Sequence, residues 1–91
     1  MANPIVNMIY YDAKKCSEKQ IEISFTEWFM ANSYKIREAA KAGNRKITFY
    51  LPRKFSDFNQ IDFHNFVFNY FDGAFNIELK YKYNIDLTLC W

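Results

Sequence analysis

The sequence predicts an α+β fold: a two-layer ββαβαββ domain in which two helices pack on one face of a largely antiparallel sheet. Two observations predict this class. Residues 58–71 repeat large apolar side chains at the spacing of one helix face, with aspartate and asparagine opposite. Residues 46–51 and 75–91 instead alternate apolar and polar side chains, as half-buried strands do. A helix with so aromatic a face must cover something apolar, and a sheet with one apolar face provides it.

The first two strands are predicted near the N-terminus. Residues 5–11, IVNMIYY, are mostly β-branched or aromatic and follow Pro4, which is typical of a strand. Residues 12–20 are polar and rich in lysine, and we expect a loop there. Residues 21–25 alternate again, which predicts a second short strand that pairs back on the first as a hairpin.

One helix is predicted after these strands, extending to about residue 42. Ser24 and Glu27 have the S-x-x-E spacing of a capping box, so the helix should begin there. Asn32 and Ser33 weaken its middle and could mark a kink or a second start, but a single helix is the simpler interpretation. Gly43 supplies the stop, because glycine tolerates a positive φ.

A strand and a second helix follow. Residues 46–51 form the strand, and Pro52 ends it because proline has no donor for the ladder. Ser56 or Asn59 can cap the aromatic helix, and Gly73 ends it.

Residues 75–91 are too many for one strand, so a closing hairpin is expected. Keeping the same apolar parity through the turn requires an odd loop length. A loop of residues 82–84 would pair Tyr81 with Ile85. It would place Asn84 in the left-handed region of a type I turn with a bulge.

Length and composition restrict the function classes. The 91 residues form a single α+β domain, residues 1–91, that is 51% hydrophobic and 21% aromatic. Such a chain is too apolar for disorder, and some aromatic side chains should stay outside the core as a partner or dimer surface. The net charge of +2 is too small to indicate a nucleic-acid or membrane-surface binder by itself. We expect no signal peptide and no membrane-spanning run.

No catalytic residue, metal ligand or cofactor is predicted. Cys16 and Cys90 lack a Cys-x-x-Cys spacing and His64 is the only histidine, which argues against a zinc site. Both thiols are expected to be reduced in a cytoplasm, and the sequence leaves open whether they meet in space. Asp62 and Asp72 would be about 15 Å apart along the predicted helix, too far for a catalytic pair. No motif places a nucleophile for His64, so we interpret it as a structural side chain.

The second half of the chain resembles a known group of proteins. The run IREAAKAGNRKITFYLP, an amphipathic helix ending at Asp72-Gly73, the run FNIELKY and the final LTLCW are similar to short uncharacterised α+β proteins encoded by tailed bacteriophages. The resemblance covers about residues 36–91 and contains no catalytic motif. Those proteins usually have Gly-Tyr where this chain has Gly-Ala-Phe, and residues 1–20 have no counterpart. The resemblance implies a similar fold, an origin in a phage or mobile element, and the bacterial host cytoplasm. It implies no enzyme activity.

Two surfaces are candidates for binding. The first is aromatic and contains Tyr50, Tyr81, Tyr83 and Trp91, on the polar sheet face or at an edge strand, because Tyr and Trp are frequent in binding hot spots. The alternative for these residues is partial burial at the core margin. The second surface is basic and would contact the phosphates of a nucleic acid, with a merely solvated face as its alternative. It contains Lys35, Lys41, Arg45, Lys46, Arg53 and Lys54.

From these observations we expect a small non-enzymatic protein-binding module. It would be a phage or mobile-element accessory protein that binds and inhibits a bacterial host or defence protein, or that pairs with its own copies as a homodimer. Nucleic-acid binding through the basic surface is the alternative function, and a structural role in the virion is a second alternative. No membrane association is expected.

Overall fold

The computed structural model describes residues 4–91 and has an α+β fold, as the sequence predicts. Its elements in order are α1 (Pro4–Asn32), α2 (Tyr34–Lys41), β1 (Lys46–Tyr50), a 3₁₀ turn (Arg53–Asp57), α3 (Gln60–Tyr70), β2 (Asn76–Tyr81) and β3 (Ile85–Cys90). The described order is therefore α-α-β-α-β-β, and the predicted ββαβαββ order is wrong in its first third.

The error lies in residues 5–11 and 21–25, which are not strands but parts of the 29-residue helix α1. The predicted loop at 12–20 is helical as well. The burial of the apolar side chains gives the reason. Ile21 and Phe25 are 1% and 0% exposed, whereas Ile23 between them is 42% exposed. Positions 21 and 25 share a face in a helix as well as in a strand, but a strand would place position 23 on that face too. Because Ile21 and Phe25 are buried in the core while Ile23 is exposed, this packing selects the helix.

A helix start at Ser24 is also wrong, because α1 passes through this residue. The interruption comes later, at Ser33, between α1 and α2. Asn32 donates a side-chain hydrogen bond to the carbonyl of Trp28 at 2.8 Å, and such local bonds compete with the backbone pattern of a helix. The single helix predicted up to residue 42 is therefore two helices. As predicted, the second one stops at Gly43, whose φ is +88°.

The second half follows its prediction closely. β1 covers Lys46–Tyr50, and α3 covers Gln60–Tyr70, slightly less than the predicted 58–71. Of the two candidate caps, Asn59 is the one used. Its Oδ1 accepts hydrogen bonds from the backbone N–H groups of Ile61 at 3.0 Å and Asp62 at 3.1 Å.

The three strands form one antiparallel sheet in the order β1-β3-β2. Tyr81 pairs with Ile85 across a three-residue loop, which confirms the predicted hairpin register. The left-handed conformation predicted for Asn84 is wrong, since no non-glycine residue in 4–91 has a positive φ. The N–H of Lys82 instead bonds to the carbonyl of Asn84 across the turn, at 3.2 Å.

The core joins helices and sheet into one cluster. Its strand members occupy odd positions, while the even positions of the strands are exposed or half-buried. Phe25 lies at the centre, with seven other aromatic rings 5.1 to 6.2 Å from its own. The buried residues of the cluster are Ile21, Phe25, Phe49, Leu51, Phe55, Phe63, Val67, Phe71, Ile85, Leu87 and Leu89.

Candidate functional site

A large exposed apolar surface lies on the first half of α1. Every residue from 4 to 20 is exposed, and burial begins at Ile21. We call residues 4–20 the arm; with a rise of 1.5 Å per residue, this helical segment is about 26 Å long. The described chain is correspondingly elongated, measuring 57 × 28 × 21 Å.

The large apolar side chains of the arm are concentrated at its tip, which we define as residues 6–11. Val6, Met8, Ile9, Tyr10 and Tyr11 are each 59% to 66% exposed. Because successive residues of an α-helix are rotated by about 100°, these five side chains point to all sides of the helix axis. A helix that is apolar on all sides is normally enclosed by other structure. The tip therefore has the surface of a segment that becomes buried on binding.

Charged side chains follow the tip along the arm. Asp12, Lys14, Lys15, Glu18 and Lys19 occupy the next two turns, and all are exposed. An apolar centre next to a charged margin is the composition of a protein–protein interface.

The four aromatic residues predicted to bind a partner do not form one patch. Tyr50 is 75% exposed and Tyr83 is 99% exposed, and both lie at the end of the sheet where the hairpin turns. Trp91 follows β3 at the opposite end of the sheet, about 17–20 Å away for a strand of this length. Its ring makes an edge contact with that of Phe75, at 6.3 Å between centroids. Tyr50 and Tyr83 thus belong to one candidate surface, and Trp91 does not share it.

Tyr81, the fourth of these residues, is half-buried against α3. Its hydroxyl lies 3.2 Å from Nδ1 of His64, and either atom can donate the hydrogen bond. The His64 ring stacks on Phe68 at 4.3 Å. Desolvation by burial raises the pKa of the Tyr81 phenol above its ordinary value. Tyr81 and His64 thus connect the hairpin to α3.

A small cleft lies between the 3₁₀ turn and the hairpin. Its volume is about 180 Å³, and its lining includes Phe55, Phe58, Phe63, Tyr81 and Tyr83. Pockets for drug-sized ligands usually measure about 300–1,000 Å³. The cleft is therefore too small for a ligand of that size.

The six basic residues predicted as a nucleic-acid surface are all exposed but divide into separate groups. Lys41, Arg45 and Lys46 lie around the turn that leads into β1, where Arg45 and Lys46 line an open cleft with Trp91. Arg53 and Lys54 lie beyond the other end of β1, in the 3₁₀ turn. Lys35 lies in the first turn of α2, with its Nζ 6.0 Å from the Tyr34 ring centre.

The geometry places no group of metal-binding side chains together in the part of the chain that the structure describes. Cys16 is exposed in the arm and Cys90 ends β3; both are free thiols. Asp62 lies in the first turn of α3, whereas Asp72 follows its end, so the prediction that they share a helix is wrong.

The arm was not predicted, because residues 5–11 have the β-branched and aromatic composition of a strand. One signal did extend the helix, although only as far as Ile21. Ile21, Phe25, Trp28 and Phe29 have the i, i+4, i+7, i+8 spacing of a helix face, which begins before the predicted start at Ser24.

Comparisons with models of protein families, with curated proteins and with solved structures find no match to this chain. Within residues 4–91, no helix combines the length and the apolar character needed to cross a bilayer.

Proposed function

We propose that this chain is a protein-binding module that inserts the tip of its helical arm into an apolar groove of another protein. One observation carries the proposal. Five large apolar side chains, at positions 6, 8, 9, 10 and 11, surround a helix that stands outside the core of its own chain.

Energetics favour such a partner. Full burial of a large apolar side chain stabilises by about 1.5–3 kcal/mol, so the tip offers several such contributions to a complex. Amphipathic or apolar helices that enter hydrophobic grooves are a recurring mode of recognition. The charged residues that follow the tip would lie at the solvent-exposed margin of the groove.

The partner class rests on the phage-like pattern of residues 36–91. We propose a bacterial host or defence protein in the host cytoplasm, which the bound chain inhibits without enzymatic activity of its own. The proposal includes the predicted layer arrangement, with the helices on one sheet face. Its support is that Phe25 and Phe63 share one core with the odd strand positions.

Substitution in the tip tests the function. The full chain is immobilised and exposed to nuclease-treated bacterial lysate, and retained proteins are identified by mass spectrometry. We expect Ile9→Glu to weaken binding of the retained protein, once purified, by at least about a hundredfold, because it leaves a carboxylate buried in an apolar groove. The control is Lys19→Gln, which makes the same change of −1 in net charge at an exposed position of the same arm.

Two further variants separate the arm from the other candidate surface. Tyr50→Ala and Tyr83→Ala remove the exposed aromatics at the hairpin end of the sheet. If these two abolish binding and Ile9→Glu does not, the binding surface is the one predicted from the sequence and the arm proposal is wrong. If proteins are retained from untreated lysate but not from nuclease-treated lysate, the result would instead favour nucleic-acid binding through the basic surface.

A further inference from the structure

Strand β2 is one of the two edge strands of the sheet. The hydrogen bonds of the neighbouring strands determine which of its backbone groups point outwards. The N–H of Leu51 bonds to the carbonyl of Ile85 at 2.9 Å, and the N–H of Trp91 bonds to that of Arg45 at 3.0 Å. Odd residues of β3 therefore point their backbone groups towards β1. Because these groups alternate in direction along an antiparallel strand, the even residues of β3 bond to β2.

The register then fixes which groups of β2 face outwards. Asn76, Glu78 and Lys80 are opposite the even residues of β3 and bond to them. Ile77 and Leu79 therefore direct their N–H and C=O groups away from the sheet. Among residues 4–91 no strand lies beyond β2 in the sheet. Such an edge can accept another strand.

The side chains of this edge are complementary to themselves. Glu78 and Lys80 flank Leu79, form an exposed ion pair with each other at 3.8 Å, and have side chains that are 62% and 58% exposed, so both charges are also accessible to a second chain. If a second copy of β2 is laid antiparallel with Leu79 opposite Leu79, each Glu78 faces a Lys80 of the other copy. These two pairs fall at non-hydrogen-bonded positions, where opposed Cα atoms are only about 4.5 Å apart. The half-buried Ile77 and Tyr81 face each other on the opposite side of the sheet.

Neighbouring registers lose this match. Centring the pair on Glu78 or on Lys80 sets that residue against its own copy, and centring it on Tyr81 sets Lys80 against Lys82. Like charges directly opposite each other destabilise a strand pair. Centring it on Ile77 opposes Glu78 to Asn76 and loses both ion pairs.

We propose that two copies of this chain pair antiparallel through β2, centred on Leu79, to form a continuous six-stranded sheet with twofold symmetry. The backbone groups of Ile77, Leu79 and Tyr81 then find partners across the axis. Such an isologous interface is the commonest route to a dimer. The inference is independent of the arm, which takes no part in this pairing.

Charge reversal tests the register on the full-length chain. Sedimentation equilibrium over a concentration series should give twice the 11.0 kDa of the single chain. Glu78→Lys and Lys80→Glu each replace two attractive pairs by two repulsive ones, so each should raise the dimer Kd at least about tenfold. The double variant Glu78→Lys/Lys80→Glu restores opposite charges and should dimerise like the wild type.

Mixing provides a second measurement. The Glu78→Lys chain is positive at both positions and the Lys80→Glu chain is negative at both, so an equimolar mixture should form a heterodimer more tightly than either chain pairs with itself. The controls are Glu38→Lys and Lys41→Glu on α2, which change the net charge equally away from the edge.

Three results would overturn the proposal. The first is a wild-type chain that stays monomeric at 100 µM, a concentration chosen to be about a hundredfold above a micromolar Kd. The second is a dimer whose Kd is unchanged by both charge reversals in chains with wild-type circular dichroism. The third is a dimer that dissociates in Ile9→Glu, since the interface would then be the arm.

Discussion

Most side chains discussed above are either enclosed by the core or face outwards, whereas Tyr81 is intermediate. Its ring is half-buried while its hydroxyl reaches His64 on α3, 17 positions earlier in the chain. The sequence predicted Tyr81 as a partner-binding residue from its type alone, which does not distinguish a free phenol from one that pairs with a histidine. The contact gives Tyr81 a role in holding the hairpin to the helix.

The raised pKa of Tyr81 predicts how stability depends on alkaline pH. The folded chain binds the phenolic proton more tightly than the unfolded chain, whose pKa is near 10. The free energy of unfolding should therefore be unaffected by Tyr81 below about pH 9, and should fall as the pH rises through 10 towards the folded pKa. Urea unfolding between pH 8 and 11 measures this slope.

The matched variant is Tyr81→Phe, which keeps the ring and removes the ionisable hydroxyl. Its stability should fall less steeply than that of the wild type above pH 10. Equal slopes in the two proteins would show that burial of the Tyr81 hydroxyl does not affect its ionisation.

At the scale of elements, the start of α3 shows how one side chain defines a boundary. Asn59 Oδ1 accepts from two backbone N–H groups of the first turn, and loss of such a cap typically costs about 1 kcal/mol. We expect Asn59→Ala to lower the free energy of unfolding by about this amount in urea. Asn59→Asp should retain most of it, because aspartate caps equally well.

Ser56 provides the comparison, since the sequence leaves the choice between Ser56 and Asn59 open. Ser56 lies inside the 3₁₀ turn and is exposed, so Ser56→Ala should change stability by less than about 0.5 kcal/mol. The reverse order of the two effects would contradict the observed cap.

Elements also differ in how far the sequence determines them. β1 and the β2–β3 hairpin were predictable because the same alternation that marks a strand also marks its buried side: Phe49, Leu87 and Leu89 are buried. α1 was not, because Ile21 and Phe25 satisfy both periods, and within residues 21–25 the exposure of Ile23 is what separates a helix from a strand. Residues 5–11 have strand-like composition, and nothing local in them indicates a helix.

The same reasoning applies to the candidate surfaces. Exposure of Tyr50 and Tyr83 follows from a polar strand position and a turn, so both could be placed in advance. The arm could not, because a stretch as apolar as its tip is expected inside the core or in a sheet. Whether such a segment lies outside the core depends on which other side chains of the chain fill that core.

At the scale of the whole molecule, a body with a dense aromatic core carries a helix that extends beyond it. This arrangement predicts two levels of protection within one helix. Amide hydrogens of residues 26–32, next to the buried Phe25, should exchange slowly, while those of residues 10–20 should exchange at least about a hundredfold faster in the free chain. Hydrogen exchange followed by mass spectrometry measures both segments in one experiment, and uniform protection along α1 would contradict it.

The separation of arm and core at Ile21 also bears on how this chain can change through evolution. The side chains of residues 6–20 are all exposed, so we expect replacements there to leave the packing around Phe25 intact. Under the proposed function, a lineage that encounters an altered target can therefore vary its recognition helix freely while inheriting the body unchanged.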